Sequence, residues 1–253
     1  MTHPTAAQLI EQGLFHHRQG DLGSAMERYT EVLRINPENP DALYYIAVAA
    51  CQAQQFKQGI ELAHRSLQFK PRQARAYNLI GQALHRQGDI KAALESFDEA
   101  LTCDIDFADA YSNRGNMLSE FGRHAEALSS FDRALALKPN ASDWLNRGAT
   151  LAAMGRAEDA IASYDKAIAL DPEFAVPHVN RASTLAEAGR FDEALADVER
   201  ALTLAPNVPQ AHLLRAGILD KLGRAEEAQA SREKAADLEE RQKVNAERAD
   251  RPA

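Results

Sequence analysis

The sequence predicts an all-α fold, a solenoid of about seven helix-turn-helix units stacked in line. Two observations carry this. The stretch ADAYSNRGNMLSEFGRHAEALSSFDRALALKPN, which starts at Ala108, is followed at once by ASDWLNRGATLAAMGRAEDAIASYDKAIALDPEF, and the two match almost position for position. Three separate series also share one register: Gly13, Ala47, Gly81, Gly115, Gly148, Ala182 and Ala216; Ala25, Gly59, Ala93, Ala127, Ala160, Ala194 and Ala228; Pro37, Pro71, Ile105, Pro139, Pro172, Pro206 and Glu240. Each series advances by 34 residues at every step but one of 33. A fixed period of this length marks a chain in which each unit buries its apolar face only against its neighbours.

Each unit reads as a helix A, a Gly-containing turn and a helix B. In the fourth, helix A (Ala108 to Phe121) carries Tyr111, Gly115 and Leu118 at helical spacing; helix B (about His124 to Leu137) carries Ala127, Leu128, Phe131, Ala134 and Leu135. Gly115 and Ala127 have almost no side chain, which lets the two helices approach. Prolines such as Pro139 and Pro172 lack the amide that would extend helix B, so they help to end it. The period divides the chain into an N-terminal tail (1–5), repeats at 6–39, 40–73, 74–107, 108–140, 141–174, 175–208 and 209–242, and a charged tail (243–253) expected to fray. Repeat 2 is the most divergent, with Gln54 at the turn glycine, Gly59 at the helix B alanine and Ala63 at the aromatic. Repeat 7 places Arg232 at the aromatic position and has a mostly polar helix B, as a terminal cap requires.

Arginine and acid vary together along the chain. Arg114, Arg147, Arg181 and Arg215 each precede the small residue of helix A, and the previous helix B offers Asp98, Asp132, Asp165 and Glu199, 15 or 16 residues earlier. Where Ile46 and Ile80 replace the arginine, Thr30 and His64 replace the acid. The expectation is four structural bridges between neighbouring repeats, each worth about 0–1 kcal/mol where exposed.

Composition narrows the function. A formal net charge of −8 argues against nucleic acid, whose binders display a basic face. No apolar run approaches the ~18 residues of a membrane span, and the first residues lack a basic-then-apolar leader, so the expected place is the cytoplasm with no membrane insertion. Cys51 and Cys103 fit no metal or disulfide spacing. No phosphate loop, HExxH, GxSxG or GxGxxG occurs, and the histidines are scattered, so neither catalysis nor a cofactor nor a metal is expected. His178 and His212 stand at the aromatic position of helix A and read as packing.

The three series, with an aromatic, Leu-Gly, Ala, a second aromatic and Pro at set offsets, resemble the tetratricopeptide repeat (TPR) family from Ala6 to about Gln242. That resemblance implies a right-handed superhelix whose A helices line a concave groove for a peptide or protein segment. Candidate groove residues are Tyr44, Arg75, Asn78, Gln82, His85, Asp109, Asn113, Asn116, Asn146 and Asn180, with apolar Ile10, Leu14, Tyr45, Val48 and Cys51 in the first two repeats. Asn113, Asn146 and Asn180 recur at one helix A position, and a row of amides can hold a peptide backbone without reading its sequence. This row is similar to the asparagine ladder in the TPR arm of O-linked N-acetylglucosamine transferases, and the Asn-Arg-Gly repeats resemble arms of bacterial SPINDLY-like transferases. The clamp that some family members use for a chaperone's C-terminal carboxylate is not matched: Ile10, Leu14, Tyr45, Arg75 and Leu79 stand at its positions. The leading expectation is a non-catalytic adaptor. The alternatives are a recognition arm for a glycosyltransferase, and a scaffold that self-associates through the apolar first helix (Leu9, Ile10, Leu14, Phe15).

Overall fold

The turn glycine is what makes each repeat two helices rather than one. Gly20, Gly88, Gly122, Gly155, Gly189 and Gly223 sit at φ between +73° and +82°, a left-handed conformation that reverses the chain and costs a side-chain-bearing residue about 1–2 kcal/mol. Gln54 takes the same turn at φ 60°. The computed structural model describes residues 4–249, and among them finds fourteen α-helices and no strand. The chain divides into two compact units, Met1–Glu120 and Phe121–Ala253.

The first unit contains α1 (Ala6–Arg18), α2 (Leu22–Ile35), α3 (Pro40–Gln52), α4 (Phe56–Phe69), α5 (Ala74–Arg86), α6 (Ile90–Cys103) and α7 (Ala108–Glu120). The second contains α8 (His124–Leu137), α9 (Ala141–Ala153), α10 (Ala157–Leu170), α11 (Ala175–Glu187), α12 (Phe191–Leu204), α13 (Pro209–Lys221) and α14 (Ala225–Ala249). The border thus falls between the two helices of the fourth predicted repeat. In both units each helix packs mainly on the helix before and after it.

Local capping differs between repeats. Asp21 and Asp89 accept from the backbone N–H groups of Ser24 and Ala92 and so start α2 and α6. Later turns carry arginine there instead, and its guanidinium pairs with an acid three residues on, as Arg190 does with Glu193 and Arg224 with Glu227. These hydrogen bonds hold both glutamates below the usual carboxylate range.

The helix A glycine proves necessary because of a ring. A Cβ added to Gly81 would lie 2.7 Å from the Phe97 ring, and one added to Gly148 would lie 2.5 Å from that of Tyr164; Gly13 faces Tyr29 in the same way. The close approach is therefore glycine to the helix B aromatic, and overpacking it would cost about 1–3 kcal/mol. In the divergent second repeat, the Cys51 side chain fills the space left open by Gly59.

Two expectations change. α14 continues to Ala249 as one helix through residues expected to fray. Its run of Ala, Glu, Lys, Arg and Gln consists of strong helix formers, which need no apolar period to stay helical; 250–253 of that tail, and 1–3 at the other end, lie outside the described residues. The first helix is also less apolar on its outer side than its sequence implies. Leu9 is fully buried in a cluster with Val32 and Ala42, and Ile10 packs against that cluster.

Candidate functional site

α5 touches both α3 and α7, so these three A helices present one continuous face. Its α3 end is closed by the chain itself. The Arg75 guanidinium lies 4.4 Å from the centre of the Tyr44 ring and donates to the Tyr45 hydroxyl at 3.0 Å and to the Asp41 carboxylate. Lys70 adds a second cation to Asp41 at 3.4 Å. Tyr45 in turn stacks on Tyr29 with centroids 5.2 Å apart. Tyr44 and Arg75, expected to meet a ligand, therefore meet each other across repeats. Asn78 is likewise buried, and its Oδ1 accepts from Asn113 Nδ2 at 3.0 Å. A buried amide needs such a partner, since leaving it unpaired would cost about 1–3 kcal/mol.

Beyond this closed end two clefts lie side by side. The polar one, of about 320 Å³, is lined by Gln82, His85, Arg86, Asn113, Asn116 and Glu120 over the Phe97 ring. Helical spacing explains its walls: Gln82 and Arg86 are one turn apart on α5, and Asn116 and Glu120 one turn apart on α7. His85 Nε2 lies 2.8 Å from Glu120 Oε2. The second cleft, of about 240 Å³, is lined by Val48, Cys51, Gln52, Phe56, Leu79, Gln82, Ala83 and Arg86. Burial pushes the Cys51 thiol pKa up, so the thiol is a packing group here rather than a nucleophile. The two clefts share Gln82 and Arg86. Asp109, in the first turn of α7, lines neither.

Arg86 and Glu120 are absent from the sequence-based candidate set. The signal was the i, i+4 spacing from Gln82 and Asn116, which places each on the same helix face as a residue already chosen.

The four arginines stand against their acids. Arg114 Nε donates to Asp98 at 2.9 Å, Arg147 Nε to Asp132 at 2.8 Å and Arg215 Nη2 to Glu199 at 2.9 Å, while Arg181 pairs with Asp165. A further partner lies in the following helix B, three residues past its alanine. Arg147 donates to Ser163 Oγ at 2.8 Å and Arg215 to Ser231 Oγ at 2.7 Å. In the sixth repeat Asp197 takes the serine's place and receives two bonds from Arg181, both at 2.6 Å. His178 Nδ1 lies 3.2 Å from the same carboxylate and is itself buried, while His212 Nε2 reaches the Pro206 carbonyl at 2.9 Å. Asn146 and Asn180 are half-buried on α9 and α11.

Models of the tetratricopeptide repeat match residues 16–83, 74–104, 108–141, 141–174, 163–196 and 185–231. The chain is 28% identical over 99 residues to small glutamine-rich tetratricopeptide repeat-containing protein 2 of Mycosarcoma maydis, a match that covers 39% of this chain and only 28% of that protein. A tetratricopeptide repeat protein of Parabacteroides merdae superposes with a TM-score of 0.67 at 18% identity, over 92% of this chain and 93% of that one. YrrB, described as a TPR protein with an unusual peptide-binding site, superposes with a TM-score of 0.59 at 22% identity, over 71% of this chain and 93% of its own. These likenesses do not extend to a particular match with SPINDLY-like or O-GlcNAc-transferase arms. Among the described residues no helix is long and apolar enough to cross a membrane. With repeat matches running from residue 16 to residue 231 and neighbouring helices packed on each other within each unit, the chain belongs to the tetratricopeptide repeat family.

Proposed function

We propose that this chain is a non-catalytic adaptor, and that α3, α5 and α7 hold a peptide or protein segment across the two adjoining clefts. The observation that carries it is the exposed Gln82 amide at their boundary, facing Asn116 across the polar cleft. A side-chain amide both donates and accepts, so it pairs with a peptide bond in either direction. YrrB, a TPR protein with an unusual peptide-binding site, supports the same use of this fold. A cytoplasmic setting fits a free thiol that packs rather than pairs.

The test is a Gln82→Ala, Asn116→Ala double variant. A segment captured by the wild-type protein from a lysate is synthesised as a peptide and titrated against both forms. At about 0.5–1.5 kcal/mol per lost hydrogen bond, the variant binds roughly fivefold to a hundredfold more weakly, with unchanged circular dichroism. Equal affinity in a folded variant would remove the clefts from the function.

Self-association through the first helix is the weaker reading. With Leu9 in the core, Phe15 is the one large apolar side chain of α1 that is well exposed, at 56%. The asparagine row has also lost weight as a ladder, because the Asn113 amide is already given to Asn78.

A further inference from the structure

Arg86 singles itself out by what it does not touch. The other arginines of the A helices each donate to a partner within the protein, as Arg75 does to Asp41 and Tyr45. Arg86 donates to none among the described residues, yet it lines both clefts and is exposed. Guanidinium is always charged and presents a planar fork that matches a carboxylate. On one side of it lies a half-open cleft of about 240 Å³ whose apolar wall is Val48, Cys51, Phe56 and Leu79. An apolar cavity of ~150 Å³ already admits a benzene ring, so this cleft has room for one Leu, Met or Phe side chain.

We infer that the segment bound here carries an apolar side chain for this cleft and, within two positions of it, an aspartate or glutamate for Arg86. This rests on the groove reading above and adds the chemistry of the ligand. The net charge of −8 does not oppose it, because at physiological ionic strength charges beyond ~8 Å are largely screened and the local cation decides. The carboxylate that lines the polar cleft, that of Glu120, lies 2.8 Å from His85 Nε2.

The experiment selects short random peptides displayed against the full-length protein, in wild-type form and as Arg86→Glu. Wild type is expected to enrich peptides with Asp or Glu near Leu, Met or Phe, and Arg86→Glu to enrich Lys or Arg in that place. A peptide selected on wild type should bind Arg86→Glu at least about tenfold more weakly, with Arg86→Lys, which keeps the charge but loses the planar fork, between the two. Peptides that bind through Gln82, as judged by Gln82→Ala, but show no acidic preference or ignore Arg86→Glu would overturn this inference and leave the groove reading standing. Enrichment of nothing, or of peptides indifferent to Gln82→Ala, would overturn both.

Discussion

Tyr29 and Tyr164 occupy the same position in their repeats, but their hydroxyls fare differently. Both are buried, and burial pushes both phenols up to about 12. Tyr29 Oη is buried with no partner among the described residues, whereas Tyr164 has beside it the Thr184 side chain, whose hydroxyl donates to the Asn180 carbonyl at 3.0 Å. Tyr29→Phe should therefore stabilise the protein by about 1 kcal/mol. The sign with pH follows from the raised values. The unfolded phenol ionises near 10 and the folded one near 12, so their contribution is whole below about pH 10 and lost as pH rises towards 12. Urea unfolding at about pH 8 and about pH 11 checks both. Tyr29→Phe should show the shallower alkaline loss, and a lower stability than wild type at the milder pH would contradict the reading.

The α3–α4 hairpin shows how one element compensates for another. Its turn forces Gln54 to φ 60°, where other repeats use glycine, and the missing helix B alanine is answered by the Cys51 side chain over Gly59. Gln54→Gly relieves the left-handed strain at some cost in unfolded-chain entropy, for a net gain of about 1 kcal/mol. A rise in urea midpoint at unchanged slope is the expected result, and no rise would mean that the turn carries no strain. The second-repeat departures were visible as departures in the chain. That Cys51 repairs one of them was not, because residues 51 and 59 sit on different helices and only the hairpin's closure brings them together.

At the scale of the molecule, helices pack mainly on their immediate neighbours, so damage should stay local. Asp197 is the sharpest probe. Its buried carboxylate answers Arg181 twice and His178 once. Asp197→Ala leaves a half-buried guanidinium with Asp165 alone and should cost about 2–4 kcal/mol. Asp197→Ser, which restores the serine of other repeats, should recover part of that. Hydrogen exchange should quicken first in α11 and α12, then in α10 and α13, while α1 to α5 keep their protection. Uniform loss across all fourteen helices would show a cooperativity that these contacts do not provide.

The chain's period alone determined the all-α solenoid, the glycine turns, the buried small and aromatic residues, and the four arginine–acid pairs. These depend on spacings of one or two helices, repeated along the chain, so a linear reading reaches them. Which groove residues remain open to a ligand depended on three dimensions. Arg75 is taken by Asp41 and Tyr44, 34 and 31 residues back, and Asn78 by Asn113, 35 residues on. Arg86, with no such partner among the described residues, stays open. Side chains a full repeat apart meet only when helices of successive units lie side by side, and a register difference of one residue on a helix turns a side chain by about 100°, enough to decide whether it faces a partner or the solvent.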